Sequence, residues 1–240
     1  MCNLDQRGNV SLITGGSRGI GLAIAKKLYG LGLHVVITDR DSSAFDAVYE
    51  AMPGVLALES DVSGLDSAGY VVRATLAKFG QIDILVNNAG ISQRDNSHLV
   101  DSNYEEFRRI MDVNINGMYR MTCAVLQEMR KRDSGYIINI LSTAAFHAGA
   151  GYGLYSASKY AARSITETLI EECKGSGIRV SAISPGPVAS DIWSHKTEAV
   201  AEELKNRMLR TEDIADIAAF LICTGKNVHI GNIPVTPWMF

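Results

Sequence analysis

Within the stretch LYSASKYAA, residues 154–162, a tyrosine and a lysine stand four positions apart, Tyr155 and Lys159. Four residues make about one helical turn, so on a helix the two share a face. Such a pair is either an ordinary helix face or a phenol held beside a cation so that it can give and take a proton. A phenol ionises near pH 10, a poor match for acid–base work at neutral pH, and a neighbouring ammonium favours the phenolate. The spacing therefore predicts a tyrosine of lowered pKa, each unit being worth about 1.4 kcal/mol. Small Ser156, Ala157 and Ser158 between them would leave room for ligands.

A second cluster is TGGSRGIG, residues 14–21, which follows an apolar run and opens a helical pattern. Gly15 suits a tight turn, Gly19 a close approach to a pyrophosphate, and Gly21 close packing of helix on strand. The helix N-terminus would offer N–H groups and a positive dipole end to the phosphates, which Ser17, Arg18 and Ile20 would flank. The spacing is G-x-x-x-G-x-G rather than the common G-x-G-x-x-G. Asp39, in ITDRD, falls about 20 residues beyond the glycines, where a carboxylate can bond both hydroxyls of an adenosine ribose. It would repel a 2′-phosphate, favouring NAD over NADP, although Arg18 or Arg40 could pair with such a phosphate.

These residues need a scaffold. VSLIT (10–14), HVVIT (34–38), VLALE (55–59), IDILVN (82–87), YIINIL (136–141) and IRVSAI (178–183) are β-branched and nearly continuous, as strands covered on both faces should be. Helical patterns such as 21–32 and 105–132 lie between them. Regular alternation predicts an α/β fold: a single-domain, doubly wound parallel β-sheet, Rossmann-like, with helices on both faces and residues 1–240 in one domain. Ligands in such sheets sit beyond the carboxyl ends of the strands.

Hydrophobic residues make up 47% of the 240, charged residues 20%, and the net charge is −3. That balance excludes the basic stripe of a nucleic-acid binder, and no apolar run reaches the roughly 20 residues of a membrane span. The start, MCNLDQRGNVSLIT, reads as lacking a secretory leader. Cys2, Cys123, Cys173 and Cys223 form no C-x-x-C pair, so reduced cysteines, no metal site and a cytoplasmic setting are expected.

NNAG (87–90), NILS (139–142), YSASK (155–159) and SPGPVASD (184–191) each close or follow a strand. Together with TGGSRGIG, they resemble the short-chain dehydrogenase/reductase family, in order and spacing, from residue 9 to about 225. The resemblance implies an NAD(P)-dependent oxidoreductase moving hydride reversibly between nicotinamide and an alcohol or carbonyl. Tyr155 matches the catalytic tyrosine, and Lys159 the lysine that also bonds the nicotinamide ribose. Ser142 matches the serine that holds the substrate oxygen, and Asn114 the asparagine that steadies a relay water; a strand-end serine and a core polar network are the plainer readings of these two. Asn88, Ala89 and Gly90 would lie beside the adenosine ribose or steady the sheet. Asp61 and Val62 would contact adenine, unless Asp61 caps a helix starting near Ser63. Pro185, Gly186, Val188 and Ser190 would touch the nicotinamide.

The match thins after SPGPVASD. A short substrate lid is expected at about 191–210, and in VHIGNIPVTPWMF the residues Pro234 and Pro237 limit strand pairing. Substrate contacts are expected from Gln93, His147, Tyr152 and Trp193, with His98 and Phe146 nearby. Arg94 is the one neighbouring cation, with no arginine cluster for a phosphate or carboxylate. Family resemblance also implies a homodimer or homotetramer. Two other functions share parts of the pattern. A cofactor-binding sensor would have no need of the proton relay, and a nucleotide-sugar epimerase would need more than the roughly 55 residues that follow Pro185.

Overall fold

The computed structural model describes residues 6–193 and 201–238. Seven strands form one sheet: β1 (Val10–Thr14), β2 (His34–Asp39), β3 (Leu56–Glu59), β4 (Ile84–Asn87), β5 (Gly135–Ile140), β6 (Ile178–Pro185) and β7 (Asn232–Val235). All neighbours run parallel, in the order β3-β2-β1-β4-β5-β6-β7. The order reverses between β1 and β4, which opens a crevice at the strands' carboxyl ends.

The helices are α1 (Gly19–Gly30), α2 (Phe45–Ala51), α3 (Ser67–Phe79), α4 (Tyr104–Met111), α5 (Met118–Arg132), α6 (Gly153–Cys173), α7 (Glu202–Lys205) and α8 (Thr211–Ile222). Alternate strand residues point to opposite faces. Ile13, Ile37 and Ile138 pack with Ile24 and Leu28 of α1 and Ile214 and Leu221 of α8. Leu12, Val36 and Ile137 pack with Val71 of α3, Val125 and Met129 of α5 and Leu169 of α6. Both faces are thus covered, which explains the unbroken apolar runs.

Three expectations change. The C-terminal segment does pair: β7 adds to β6, with Pro234 opposite Ser184. A proline is tolerated because β7 is the last strand of the sheet, where an N–H is dispensable on the open side. The 105–132 helix is interrupted, for residues Asp112–Gly117 wind as a π-helix between α4 and α5, a wider turn of the kind that often accompanies functional sites. The helix after β3 starts at Ser67, and Asp61 instead accepts bonds from the Ser63 amide and hydroxyl at 2.8 and 2.7 Å.

A polar chain fastens the second helical face to the centre of the sheet. Asn87 Nδ2 donates to Thr122 Oγ1 of α5 at 2.9 Å and to Asn139 Oδ1 at 2.8 Å. Asn139 Nδ2 donates to Thr166 Oγ1 of α6 at 2.9 Å. Asn87 and Asn139 face each other in the β4–β5 register. Buried polar networks fix geometry more than they add stability; this one ties α5 and α6 to the central strands, with Asn87 Oδ1 its one atom left without a partner among the described residues. Cys123 and Cys173 are free thiols, whereas Cys223 is disulfide-bonded rather than reduced as expected.

Candidate active site

A cleft of about 800 Å³ lies across the strand ends. On the β2 and β3 side it is lined by Arg18, Asp39, Arg40, Asp61 and Val62; on the β5 and β6 side by Ser142, Tyr155, Lys159, Pro185, Gly186, Val188 and Ser190. Gly15, Gly19, Ile20, Asn88, Ala89 and Gly90 form the wall between.

The glycine turn is built as its spacing suggests. Gly15 and Gly19 have φ of 62° and 54°, left-handed values that strain any other residue. A Cβ at Gly21 would lie 2.0 Å from the Gly15 carbonyl oxygen. Gly16, not singled out in the sequence, is equally constrained: a Cβ there would sit 2.6 Å from Ile37. No side chain caps α1 and no acidic residue occupies its first turn, so its positive end is left for an anion in the cleft. Thr38 Oγ1 and Ser156 Oγ, both on cleft-lining residues, are buried without a partner. Left-handed glycines, an uncapped helix end and orphaned hydroxyls along one cleft fit an elongated, polar, phosphate-bearing ligand.

Ser17 does not line the cleft. Its hydroxyl donates to Asp39 Oδ2 at 2.6 Å and its amide to the same oxygen at 3.4 Å. It therefore acts through Asp39, which is 6% exposed and borders the cleft. Asn88 ties β4 to β1, its Nδ2 donating to the Thr14 and Gly15 carbonyls at 2.9 and 3.0 Å. Thr14 Oγ1 answers by accepting from the Asn88 and Ala89 amides, both at 3.0 Å.

Tyr155 and Lys159 lie on α6 one turn apart, as their spacing requires. Lys159 is 7% exposed, its Nζ donating to the Ile140 carbonyl at 3.1 Å and standing 5.7 Å from the Tyr155 ring centre. Burial pushes the Tyr155 phenol up to about 12, and a hydrogen bond with the Ser142 side chain draws it only partly back. Part of the ring borders the open cleft, yet burial still dominates. Burial also pushes the Lys159 ammonium down, from 10.5 to about 8. The phenol pKa is thus raised, not lowered. The ammonium is turned to a carbonyl rather than to the phenol oxygen, and desolvation outweighs its pull.

Asn114 sits on the π-helical turn and does not line the main cleft. Its Nδ2 donates to the Ile91 carbonyl and to Ser158 Oγ, both at 2.9 Å, and its Oδ1 accepts from the Ile91 amide at 2.8 Å. It borders, with Lys159 and Asn87, a small cavity of about 10 Å³ behind the lysine, a volume on the scale of one water. Ser158 also donates to the Tyr155 carbonyl at 2.7 Å, so it clamps α6 to Asn114 rather than leaving space.

Of the expected substrate contacts, His147, Tyr152 and Trp193 line the cleft, whereas Gln93 does not. Gln93 is 1% exposed. Its Nε2 donates to the Asp95 and Gly151 carbonyls, and its Oε1 accepts from the Tyr155 amide at 3.3 Å. It is a bracket between the loop after β4 and the start of α6. His98 and Phe146 also lie off the cleft, Phe146 beneath the Arg163 guanidinium at 4.2 Å. Trp193 is pinned by its indole N–H to the Val188 carbonyl at 2.7 Å. Of the expected lid, residues 194–200 lie outside the described residues; Leu204 and Met208 reach the cleft. Arg109 of α4 also lines the cleft, as Arg94 does; nothing in its local sequence marks it, because only the fold brings α4 to the loop after β4. Among the described residues no cluster of three metal-ligating side chains occurs, and no helix is long and apolar enough to cross a membrane.

Residues 9–201 match the family model for short chain dehydrogenases. An uncharacterised oxidoreductase of Staphylococcus saprophyticus is 36% identical over 95% of this chain and 97% of its own. A 3-oxoacyl-[acyl-carrier-protein] reductase of Synechocystis is 37% identical over 76% of this chain and 75% of its own. Among solved structures, a 3-ketoacyl-(acyl-carrier-protein) reductase from Brucella melitensis complexed with NADH superposes with a TM-score of 0.88 at 31% identity, covering 97% of this chain and 98% of that one. An alcohol dehydrogenase from Thermococcus sibiricus complexed with 5-hydroxy-NADP gives 0.87 at 26% identity, covering 97% of each.

The lysine's environment has a measurable consequence. From about pH 8 to 10 the unfolded chain holds the Lys159 proton more tightly than the folded one, so stability rises with pH; above that window the raised Tyr155 phenol acts in the opposite sense. Lys159→Met should raise unfolding stability at pH 7 by roughly 1–3 kcal/mol and flatten that rise in denaturant melts. Lower stability at pH 7 with the rise intact would contradict the assignment.

Proposed function

The chain belongs to the short-chain dehydrogenase family of oxidoreductases, and on that premise we propose that it moves hydride reversibly between NAD(P) and a small alcohol or carbonyl substrate, with Tyr155 giving and taking the proton. The observation that carries this reading is the meeting of Ser142, Tyr155 and Lys159 in the same cleft as the glycine turn. When bound, the nicotinamide supplies or accepts the hydride. The α1 N-terminus with Gly15 and Gly19 would hold the pyrophosphate, and Asp39, steadied by Ser17, the adenosine ribose. Val62 and Asn88–Gly90 would border the adenosine. Lys159 would meet the nicotinamide ribose, and Pro185, Gly186, Val188 and Ser190 the nicotinamide.

In carbonyl reduction Ser142 holds the substrate oxygen against the phenol, and the phenol, neutral at physiological pH, donates its proton. Proton transfer leaves a phenolate on a ring whose centre lies 5.7 Å from the Lys159 ammonium. Their attraction exists only once the charge has developed, so it lowers the barrier without tightening the ground state. Burial makes each isolated charge costly and their joint appearance less so. Alcohol oxidation runs the same transfer backwards and needs the phenolate, so its rate should climb with pH. Asn114 and the cavity beside Lys159 would pass the proton on to solvent.

The carboxylate at Asp39 favours NAD over NADP, as a 2′-phosphate beside it would be repelled. Exposed Tyr104, Tyr119 and Tyr160, at 71%, 55% and 42%, stud α4, α5 and α6; they support association of two or four copies through these helices, in a cytoplasmic enzyme.

Tyr155→Phe should keep dinucleotide affinity within a few-fold and lower turnover by about a thousandfold or more; substantial activity would remove Tyr155 from the mechanism. Asp39→Ala should weaken NAD binding about tenfold while sparing or improving NADP binding, as read by titration calorimetry, and equal losses would refute ribose recognition. Light scattering should give a mass two or four times the monomer's; a monomer would end the assembly reading.

A further inference from the structure

We infer that the substrate carries a carboxylate, read by Arg94 with Arg109 behind it; this rests on the proposed role of Tyr155 and names the substrate class. The two arginines come from different elements, the loop after β4 and α4, yet both line the cleft. A single carboxylate organises them. Glu106 accepts from the Arg94 backbone amide at 2.6 Å, and the same oxygen pairs with Arg109 Nη2 at 3.4 Å. Glu106 is therefore engaged by an amide and by Arg109, and the exposed Arg94 guanidinium has no partner among the described residues.

The loop fixes Arg94 at the reacting end. On one side Gln93 binds the Tyr155 amide and the Gly151 carbonyl. On the other, Asn96 Nδ2 donates to the Tyr152 hydroxyl at 3.0 Å. Arg94 is thus anchored beside the start of α6, away from Asp39. The carboxylates that line the cleft, Asp39, Asp61 and Asp191, follow or end β2, β3 and β6; the loop after β4 adds none. Two guanidiniums and Glu106 leave one net positive charge. That matches a monoanion. A phosphate, at about −1.5 to −2, would be undercompensated. A guanidinium fork also suits the two oxygens of a carboxylate. The substrate class is then a keto acid or its hydroxy acid, with Ser142 and Tyr155 on the reacting oxygen and Arg94 on the acid group.

The test titrates the NADH-loaded protein with 2-oxobutanoate, 4-oxopentanoate and 5-oxohexanoate, each beside its methyl ester, reading nicotinamide fluorescence for binding and NADH absorbance for turnover. At least one acid should bind about tenfold or more tightly than its ester. Arg94→Ala should bring that ratio close to one, and Arg94→Lys should retain part of it, because the charge remains without the fork. Acids and esters binding alike throughout, or a ratio that survives Arg94→Ala, would overturn the inference. So would dihydroxyacetone phosphate binding more tightly than every acid. Selective acid binding without NADH oxidation in any arm would uphold the carboxylate site and sink the oxidoreductase reading instead.

Discussion

The site depends on one constraint: α6 carries a phenol and an ammonium into a place where neither ionises at its ordinary pH. Tyr155 is pushed up to about 12 and Lys159 down to about 8, in both cases chiefly by burial. A helix holding such a pair must be fastened firmly, since a small displacement would let water in. The fastening is visible. Asn139 grips Thr166 from the sheet, Ser158 links Asn114 to the Tyr155 carbonyl, and Gln93 brackets the Tyr155 amide. The central sheet serves as the rigid base from which these bonds reach.

The rest of the cleft divides by charge and by strand. The loop after β1 leads into an uncapped helix end, and the end of β2 provides a carboxylate, Asp39, oriented by Ser17. The loop after β4 provides, beside α6, a guanidinium without a partner among the described residues. Between them Thr14 and Asn88 stitch β1 to β4 where the strand order reverses. A long polar ligand and a short anionic one can therefore share the cleft, each recognised at its own end, with the proton-bearing pair close to the second.

Much of this was legible in the chain. Six strands show because both sheet faces are covered, which turns each strand into an unbroken apolar run. Tyr155, Lys159 and the glycine turn show because their mutual placement depends on local spacing. What stayed hidden depends on long-range placement. β7 was masked by Pro234, harmless only because that strand ends the sheet. Gln93 looks like a polar loop residue until Gly151 and Tyr155 fold against it. Arg109 lies in an ordinary amphipathic helix and gains meaning only through Glu106 and Arg94. The direction of the Tyr155 shift was also out of reach, because a spacing of four gives proximity but says nothing of how thoroughly the pair is dried.

The direct measure of that drying is site-resolved titration of the ligand-free protein, following the Cζ carbon of labelled tyrosine and the Nζ nitrogen of labelled lysine by NMR, with Tyr155→Phe and Lys159→Met for assignment. The account predicts that the Tyr155 phenol remains un-ionised well past the ordinary value of 10.0 while Lys159 titrates near 8. A Tyr155 phenol that ionises at or below its ordinary value, or a Lys159 that titrates with the surface lysines, would contradict it.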